Sequence, residues 1–215
     1  MMSLSDADAL VHGGDDGAGR HSYAFRPRMI GAATRVVLDT RGAEGLLEWT
    51  VGATSGRTPL RDITRLRLRH ELGQLGSSNF ALLIEGRGLP RLRIGSVSRT
   101  GLTAVKDHGP AFIAFLNALH AALLRDSGRV RYEAGLPRWR WGGMLALSAC
   151  CAAAICWLAA LAFSEGQGTS ALLIVGLSLV LAFPLAETLW RNRPGPYEPD
   201  ALPQRLLPSV KPGKD

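Results

Sequence analysis

The chain has 215 residues, 47% of them hydrophobic, and a formal net charge of +7. This length allows one modest folded domain beside any membrane segment. Much of the basic excess flanks two long apolar runs, where membrane topology explains it, so we expect no nucleic-acid partner.

The first 22 residues are rich in glycine and aspartate. A segment of this composition cannot bury enough apolar surface to become ordered. Residues 1–22 are therefore predicted to be a disordered N-terminal tail.

Residues 23–128 change to short segments in which apolar and polar residues alternate, bounded by Gly, Ser, Asp or Pro. This period of two is typical of half-buried strands, and their even spacing predicts an antiparallel sheet, barrel or sandwich. Gly86-Arg87-Gly88 is predicted to be a hairpin turn. The predicted strands are Thr34–Asp39, Gly45–Val51, Ile63–Glu71, Asn79–Glu85 and Leu89–Val97.

Arginines alternate with leucine or isoleucine in two of these strands, which places the arginines on the outer face of one sheet. We call this set the arginine face: Arg65, Arg67, Arg69, Arg91 and Arg93. Basic residues near a bilayer attract anionic lipid headgroups by about 1 kcal/mol each. The alternative is that these are ordinary solvent-facing residues, some paired across strands with Glu71 and Glu85.

The segment from Gly109-Pro110 to Ser127-Gly128 has the start and stop signals of a helix. Its apolar residues recur at helical spacing and form one broad stripe: Phe112, Ile113, Phe115, Leu116, Leu119 and Leu123. Such a stripe requires a partner surface, and we expect the helix to cap the open end of the preceding sheet.

No pattern in the sequence indicates catalysis. Gly52–Thr58 lacks the spacing of a phosphate-binding loop and is interpreted as a hairpin loop. His120, at the border of the helical stripe, is interpreted as donating to a backbone carbonyl. The histidines are scattered at His12, His21, His70, His108 and His120, and Cys150, Cys151 and Cys156 lie in an apolar run. We therefore expect no catalytic residue, cofactor or metal, and no enzyme.

Two apolar runs follow a basic linker at residues 129–138, and each is long enough to cross about 30 Å of hydrocarbon. Residues 139–163 and 170–190 are the predicted spans, joined by an external loop at 164–169 and followed by a Pro-rich tail at 191–215. Arginines and lysines flank the pair but are absent from the loop, so both chain ends should be cytoplasmic. The predicted interface anchors are Trp139, Trp141 and Trp190.

One acid, Glu187, lies near the end of the second run. Acids in spans often mark transport paths. Glu187 is close to Arg191 and Arg193, however, and can reach the interface and pair there. We favour the paired interpretation.

The chain resembles the pleckstrin-homology-like (PH-like) domain of bacterial membrane proteins in three features. These are meandering strands followed by one capping helix, a Pro-Leu-Arg-Asp-Ile segment at Pro59–Ile63, and an attached membrane hairpin. The tail between Asn192 and Pro208 is similar to tails of uncharacterised proteobacterial proteins with this arrangement. The resemblance implies an α+β fold, with a PH-like antiparallel β-barrel or sheet capped by a C-terminal helix, in the bacterial inner membrane. It implies seven strands, so Tyr23–Ile30 and a region around Arg57–Leu60 should supply two more.

The resulting hypothesis is a non-enzymatic, membrane-anchored scaffold that binds a membrane partner protein and anionic phospholipid, its Pro-rich tail docking to the partner. Small residues on both spans would also permit homo-oligomers. The alternative is an auxiliary subunit of a transporter or channel formed by oligomerised spans.

Overall fold

The computed structural model describes residues 19–26, 33–72, 78–99, 105–126 and 129–208. Residues 1–18 of the predicted disordered tail lie outside the described residues, as does the predicted helix stop at Ser127-Gly128. The tail was predicted to extend to residue 22, but residues 20–22 belong to a strand. The chain divides into two compact units. One consists of Met1–Ala134 together with Gly195–Asp215, and the other is Gly135–Pro194.

The first unit begins with a four-stranded antiparallel meander in the order β1-β2-β3-β4. Trp49 on β3 covers Gly56 on β4, where an added Cβ would collide with the indole ring. The strands are β1 (Arg20–Phe25), β2 (Thr34–Asp39), β3 (Leu46–Val51) and β4 (Thr54–Pro59).

A second sheet, in the order β11-β10-β5-β6-β7, contains the arginine-rich strands. Strands β5, β6 and β7 are antiparallel neighbours, whereas β10 pairs in parallel with β5. Gly88, at φ +67°, provides the left-handed residue of the β6–β7 turn. The strands are β5 (Ile63–Leu72), β6 (Ser78–Gly86), β7 (Leu89–Gly95), β10 (Arg131–Ala134) and β11 (Gly195–Pro196).

Helix α1 (Gly109–Asp126) follows a two-stranded hairpin of β8 (Val97–Arg99) and β9 (Val105–Asp107). The Asp107 side chain accepts a hydrogen bond from the Gly109 amide at 2.9 Å and so satisfies a free donor at the helix start. The predicted apolar stripe is buried apart from Ile113, which is half-buried. Full burial of such side chains contributes about 1.5–3 kcal/mol each.

The core joins both sheets and the helix. Tyr23 on β1 packs against Phe112 and Phe115 of α1, and its hydroxyl donates to the carbonyl of Gly95 on β7 at 2.7 Å. Burial raises the pKa of Tyr23 strongly, so this hydroxyl stays protonated as a donor. One tyrosine therefore ties the two sheets and the helix together.

The fold is mixed α+β, as expected, and its described sheets form no closed barrel. Strand β1 shares residues 23–25 with the first segment expected to supply a further strand, and residues 27–30 of that segment lie outside the described residues. Strand β4 includes residues 57–59 of the second expected region. Gly52–Thr58 differs from its interpretation as a loop, because only Gly52 and Ala53 form the turn and the rest belongs to β4.

Two segments expected outside the domain belong to it. Residues 131–134 of the predicted linker form β10, because backbone pairing with β5 satisfies their amides and carbonyls. The predicted Pro-rich tail folds back as β11 and a short 3-10 turn at Gln204–Leu206. We call Gly195–Pro208 the C-terminal segment.

The second unit is a helical hairpin of α2 (Arg138–Ser164) and α3 (Gly168–Arg191). Both helices are long and apolar enough to cross a membrane, and Ala171 and Thr188 are their only buried residues. At the base of the hairpin the indole N–H of Trp141 donates to the carbonyl of Leu189 at 2.9 Å. The exposed apolar surface of the two helices is suited to lipid rather than water.

Candidate functional site

The second sheet, through strands β5 and β7, brings the five residues of the arginine face together. Arg65, Arg67 and Arg69 alternate along β5, and the β5–β6–β7 register brings Arg91 and Arg93 to the same face. Arg91 is highly exposed, with 85% of its side chain accessible, whereas the other four side chains are about one-fifth to one-third accessible.

Each of the five arginines forms an ion pair with at least one of three glutamates. Arg65 contacts Glu85 at 3.1 Å, and Arg91 approaches the same carboxylate at 3.7 Å. Arg69 and Arg93 both contact Glu71. Cross-strand pairing, the alternative weighed from the sequence, is therefore present on this face.

Glu71 is the most enclosed of these carboxylates. Burial tends to raise its pKa, but hydrogen bonds and charge from Arg93 and Arg69 outweigh burial, so the pKa of Glu71 lies below its usual value. Asn79 adds a hydrogen bond to Glu71 at 3.3 Å. The carboxylate is thus ionised and fixed between two guanidinium groups.

Glu133 is a member of this network that the sequence analysis missed. It lies on β10, where the parallel register places it beside Arg67, and it pairs with both Arg67 and Arg65. The only signal in the sequence was the alternation of Arg131, Tyr132, Glu133 and Ala134, which is too short to identify a strand.

Arg131 extends the face at the strand position next to Arg65. It is exposed, and the described residues offer it no ion pair within 4 Å. With Arg131 included, the face holds six arginines against three glutamates, a formal excess of three positive charges. The residual positive charge lies toward Arg131 on one side and Arg91 on the other.

A second arrangement joins the C-terminal segment to helix α1. Nδ1 of His120 lies 2.7 Å from the carbonyl oxygen of Leu116, so this nitrogen carries the proton and donates. Nε2 of neutral His120 accordingly accepts a hydrogen bond from the hydroxyl of Tyr197 at 2.9 Å. The sequence interpretation of His120 is confirmed, but the Tyr197 partner was not foreseen.

His120, Tyr132 and Tyr197 form a packed ring cluster with centroids 5.3–5.7 Å apart. Burial lowers the pKa of His120, although the Leu116 carbonyl and the charge of Asp200 oppose this shift. Burial also raises the pKa of Tyr132 and of Tyr197. The cluster is therefore neutral near pH 7.

The C-terminal segment also fills part of the core. Leu206 is fully buried among core residues, and Leu202 and Leu207 pack beside it. Pro208 is buried and lies against Gly109, where a Cβ would be 3.0 Å from the proline ring. These residues of the predicted Pro-rich tail therefore pack inside the domain, although the sequence led us to expect that the tail docks to a partner.

The predicted interface anchors lie at the ends of the hairpin helices. Trp139 and Trp190 are exposed, at 73% and 64%, and Arg140 lies over the Trp139 ring at 5.0 Å. Trp141 is half-buried. Glu187 pairs with Arg191 at 2.8 Å, one helical turn away, as the interface interpretation expected.

Within the described ranges, no group of three or more His, Cys, Asp or Glu side chains is placed to hold a metal ion. The three cysteines of α2 are exposed and form no disulfide. Comparisons with protein-family models, curated proteins and solved structures gave no match to this chain.

Proposed function

We propose that this protein is a non-enzymatic interaction module anchored in the bacterial inner membrane, whose PH-like domain binds a membrane partner protein. The observation that carries the proposal is topological. The hairpin is inserted between β10 and β11, two hydrogen-bonded strands of one sheet. The domain is therefore attached through two chain connections rather than one flexible linker.

The PH-like assignment is supported by element order. A four-stranded meander is followed by the β5–β7 meander and then by α1, whose apolar stripe packs on both sheets. The β8–β9 hairpin, β10 and the C-terminal segment are additions to that arrangement. A rigid sheet and helix of this kind provide surfaces for recognition, and recognition does not require a catalytic cluster.

The arrangement of charge supports a cytoplasmic domain. Arginines lie before α2 and after α3, whereas the loop from Glu165 to Gln167 carries one acid and no base. Basic residues in short flanking segments remain on the cytoplasmic side. The exposed tryptophans at the helix ends support the same interface.

Anionic phospholipid is the second partner that we propose, bound at the arginine face together with Arg131. Glutamates neutralise half of the arginine charge, so the attraction is weak and general rather than specific for one headgroup. Three excess charges correspond to roughly 3 kcal/mol near an anionic surface, and salt screens this attraction.

Site-specific photocrosslinking in native membranes tests the protein partner. We would place a photoreactive residue at Arg91 on the exposed face and, as a matched control, at exposed Thr50 on the first sheet. The expected result is one discrete heterologous adduct from one surface and none from the other. Adducts only between copies of this chain, from every exposed position tried, would contradict the proposed partner.

A further inference from the structure

The membrane hairpin interrupts the domain in sequence but not in space. Glu133 pairs with Pro196 and Ala134 pairs with Gly195, so the strands before and after the hairpin are direct neighbours. The chain passes from one unit to the other at two places, after Ala134 and before Gly195. The domain therefore includes chain on both sides of two apolar helices.

The returning chain contributes more than one edge strand. Leu206 is fully buried in the core, and Tyr197 supplies a hydrogen bond and two ring contacts to His120 and Tyr132. Without it, Nε2 of His120 would lose its partner and the Leu206 site would be empty. An unpaired buried acceptor and a core cavity each destabilise a fold.

We propose that the C-terminal segment is a strap that closes the domain only after both apolar helices have been placed in the membrane as a hairpin. The inference rests on the membrane insertion in the proposed function but not on any partner or lipid. Closure requires Ala134 and Gly195 on the same side of the bilayer, and that condition requires an even number of crossings.

The order of events follows from the chemistry of the strap. Asp200, Arg205 and the exposed backbone of the segment cannot cross hydrocarbon without a large desolvation cost. A strap delivered to the wrong side therefore cannot reach its site. Domain closure thus reports that the hairpin has inserted with both ends on one side.

The first experiment measures protease resistance of the full-length protein in lipid nanodiscs. Leu206→Asp places a charge in the core, whereas Gln204→Asp places the same charge at an exposed position in the same turn. We expect cleavage within residues 20–134 to accelerate roughly tenfold or more for L206D and less than about twofold for Q204D. Equal protease resistance of L206D and Q204D would overturn the proposal that the C-terminal segment closes the domain.

If L206D does not accumulate, L206A and Q204A give the same comparison with a milder change. Leucine-to-alanine replacement leaves a cavity in the core, which destabilises the fold enough for a measurable acceleration of cleavage. No difference between these two variants would also overturn the proposal.

The second experiment separates topology from sequence. Deleting Gly168–Arg191 leaves one crossing and places the intact strap across the bilayer from the domain. Replacing the same residues with a leucine–alanine helix of equal length restores two crossings. We expect the deletion to make the domain sensitive to protease and the replacement to restore its resistance. A deletion variant that resists protease would overturn the inference. A replacement variant that is cleaved as fast as the deletion variant would also overturn it.

Single cysteines identify which premise fails. With the native cysteines replaced by alanine, Thr50→Cys and Glu198→Cys should react with an impermeant maleimide from one face of sealed vesicles, and Gln167→Cys from the other. Labelling of all three from one face would disprove the membrane insertion of the proposed function. Labelling of Thr50→Cys and Glu198→Cys from opposite faces would disprove closure.

Discussion

Tyr197 lies after both long apolar helices, yet its hydroxyl donates to Nε2 of His120, which lies before them, at 2.9 Å. The bond spans 77 positions of sequence and stays within one compact unit. It connects the last part of the chain to the helix that caps the domain. Stability of this domain should therefore depend on residues beyond the hairpin.

Tyr197→Phe tests the hydrogen bond alone, because phenylalanine keeps the ring contacts with His120 and Tyr132. We expect a loss of about 1–2 kcal/mol, since Nε2 of His120 is left as a buried acceptor without a partner. The urea midpoint of the full chain in nanodiscs, measured by pulse proteolysis, reports the change. Tyr197→Ala removes the ring as well and should cost more; equal losses would show that the hydroxyl contributes nothing.

Acidification should weaken the domain through His120. Burial lowers its folded pKa below the ordinary value of 6.5, so the unfolded chain binds the proton first as pH falls. Stability is therefore fully present above about pH 6.5 and is lost as pH falls toward the folded pKa, by at most about 1.4 kcal/mol per pH unit. Tyr132, Tyr197 and Asp200 face this histidine, and Asp200 moderates the effect.

The measurement is the slope of unfolding free energy against pH between 5 and 8. His120→Gln removes the titrating group while keeping a polar side chain, so its slope in this interval should be smaller than that of the unmodified chain. The absolute stability of the variant does not matter for this comparison. Identical slopes would show that His120 is not the group responsible.

Gly135→Ala should disturb the base of the hairpin. Gly135 has φ +77°, and an added Cβ would overlap the backbone carbonyls of Asn192 and Arg193. Gly166→Ala is a matched control because Gly166 also has φ +77° but has open space around it. We expect about 1 kcal/mol of strain from Gly166→Ala and about 2–4 kcal/mol from Gly135→Ala. The strain at Gly135 should appear as faster hydrogen exchange at Leu136, whose amide donates to the carbonyl of Asn192.

Glu71→Gln tests the enclosed ion-pair network. Removing this charge leaves Arg69 and Arg93 without their shared carboxylate, and we expect a loss of about 1–2 kcal/mol. Glu44→Gln breaks the exposed pair with Arg61 and should cost less than about 0.5 kcal/mol. The same urea assay compares the two, and a larger effect at Glu44 would contradict the role of enclosure.

The lipid proposal predicts an effect of net charge rather than of one residue. Arg91→Gln with Arg131→Gln removes two of the three excess charges, so the full-length protein should retain fewer anionic lipids in mixed micelles at low salt. Native mass spectrometry counts the retained lipids. Arg57→Gln with Arg61→Gln is the charge-matched control away from the face, and equal losses from the two double variants would reject binding at this site.

The amino-acid sequence determined the local elements. Period-two alternation identified β2, β3, β5, β6 and β7 almost to the residue, and helical spacing identified the buried side of α1. Two long uninterrupted apolar runs identified α2 and α3. These signals are readable because each arises from one segment facing one environment along its whole length.

Only the tertiary structure decided what the flanks of the hairpin do. The strands Arg131–Ala134 and Gly195–Pro196 are too short to show a periodic pattern in the sequence. They pair with each other although two helices lie between them in the chain. For the same reason the sequence did not identify Glu133 as the partner of Arg67 or Tyr197 as the partner of His120. A hydrogen bond or ion pair between distant segments depends on where folding places both ends, and neither segment alone specifies that place.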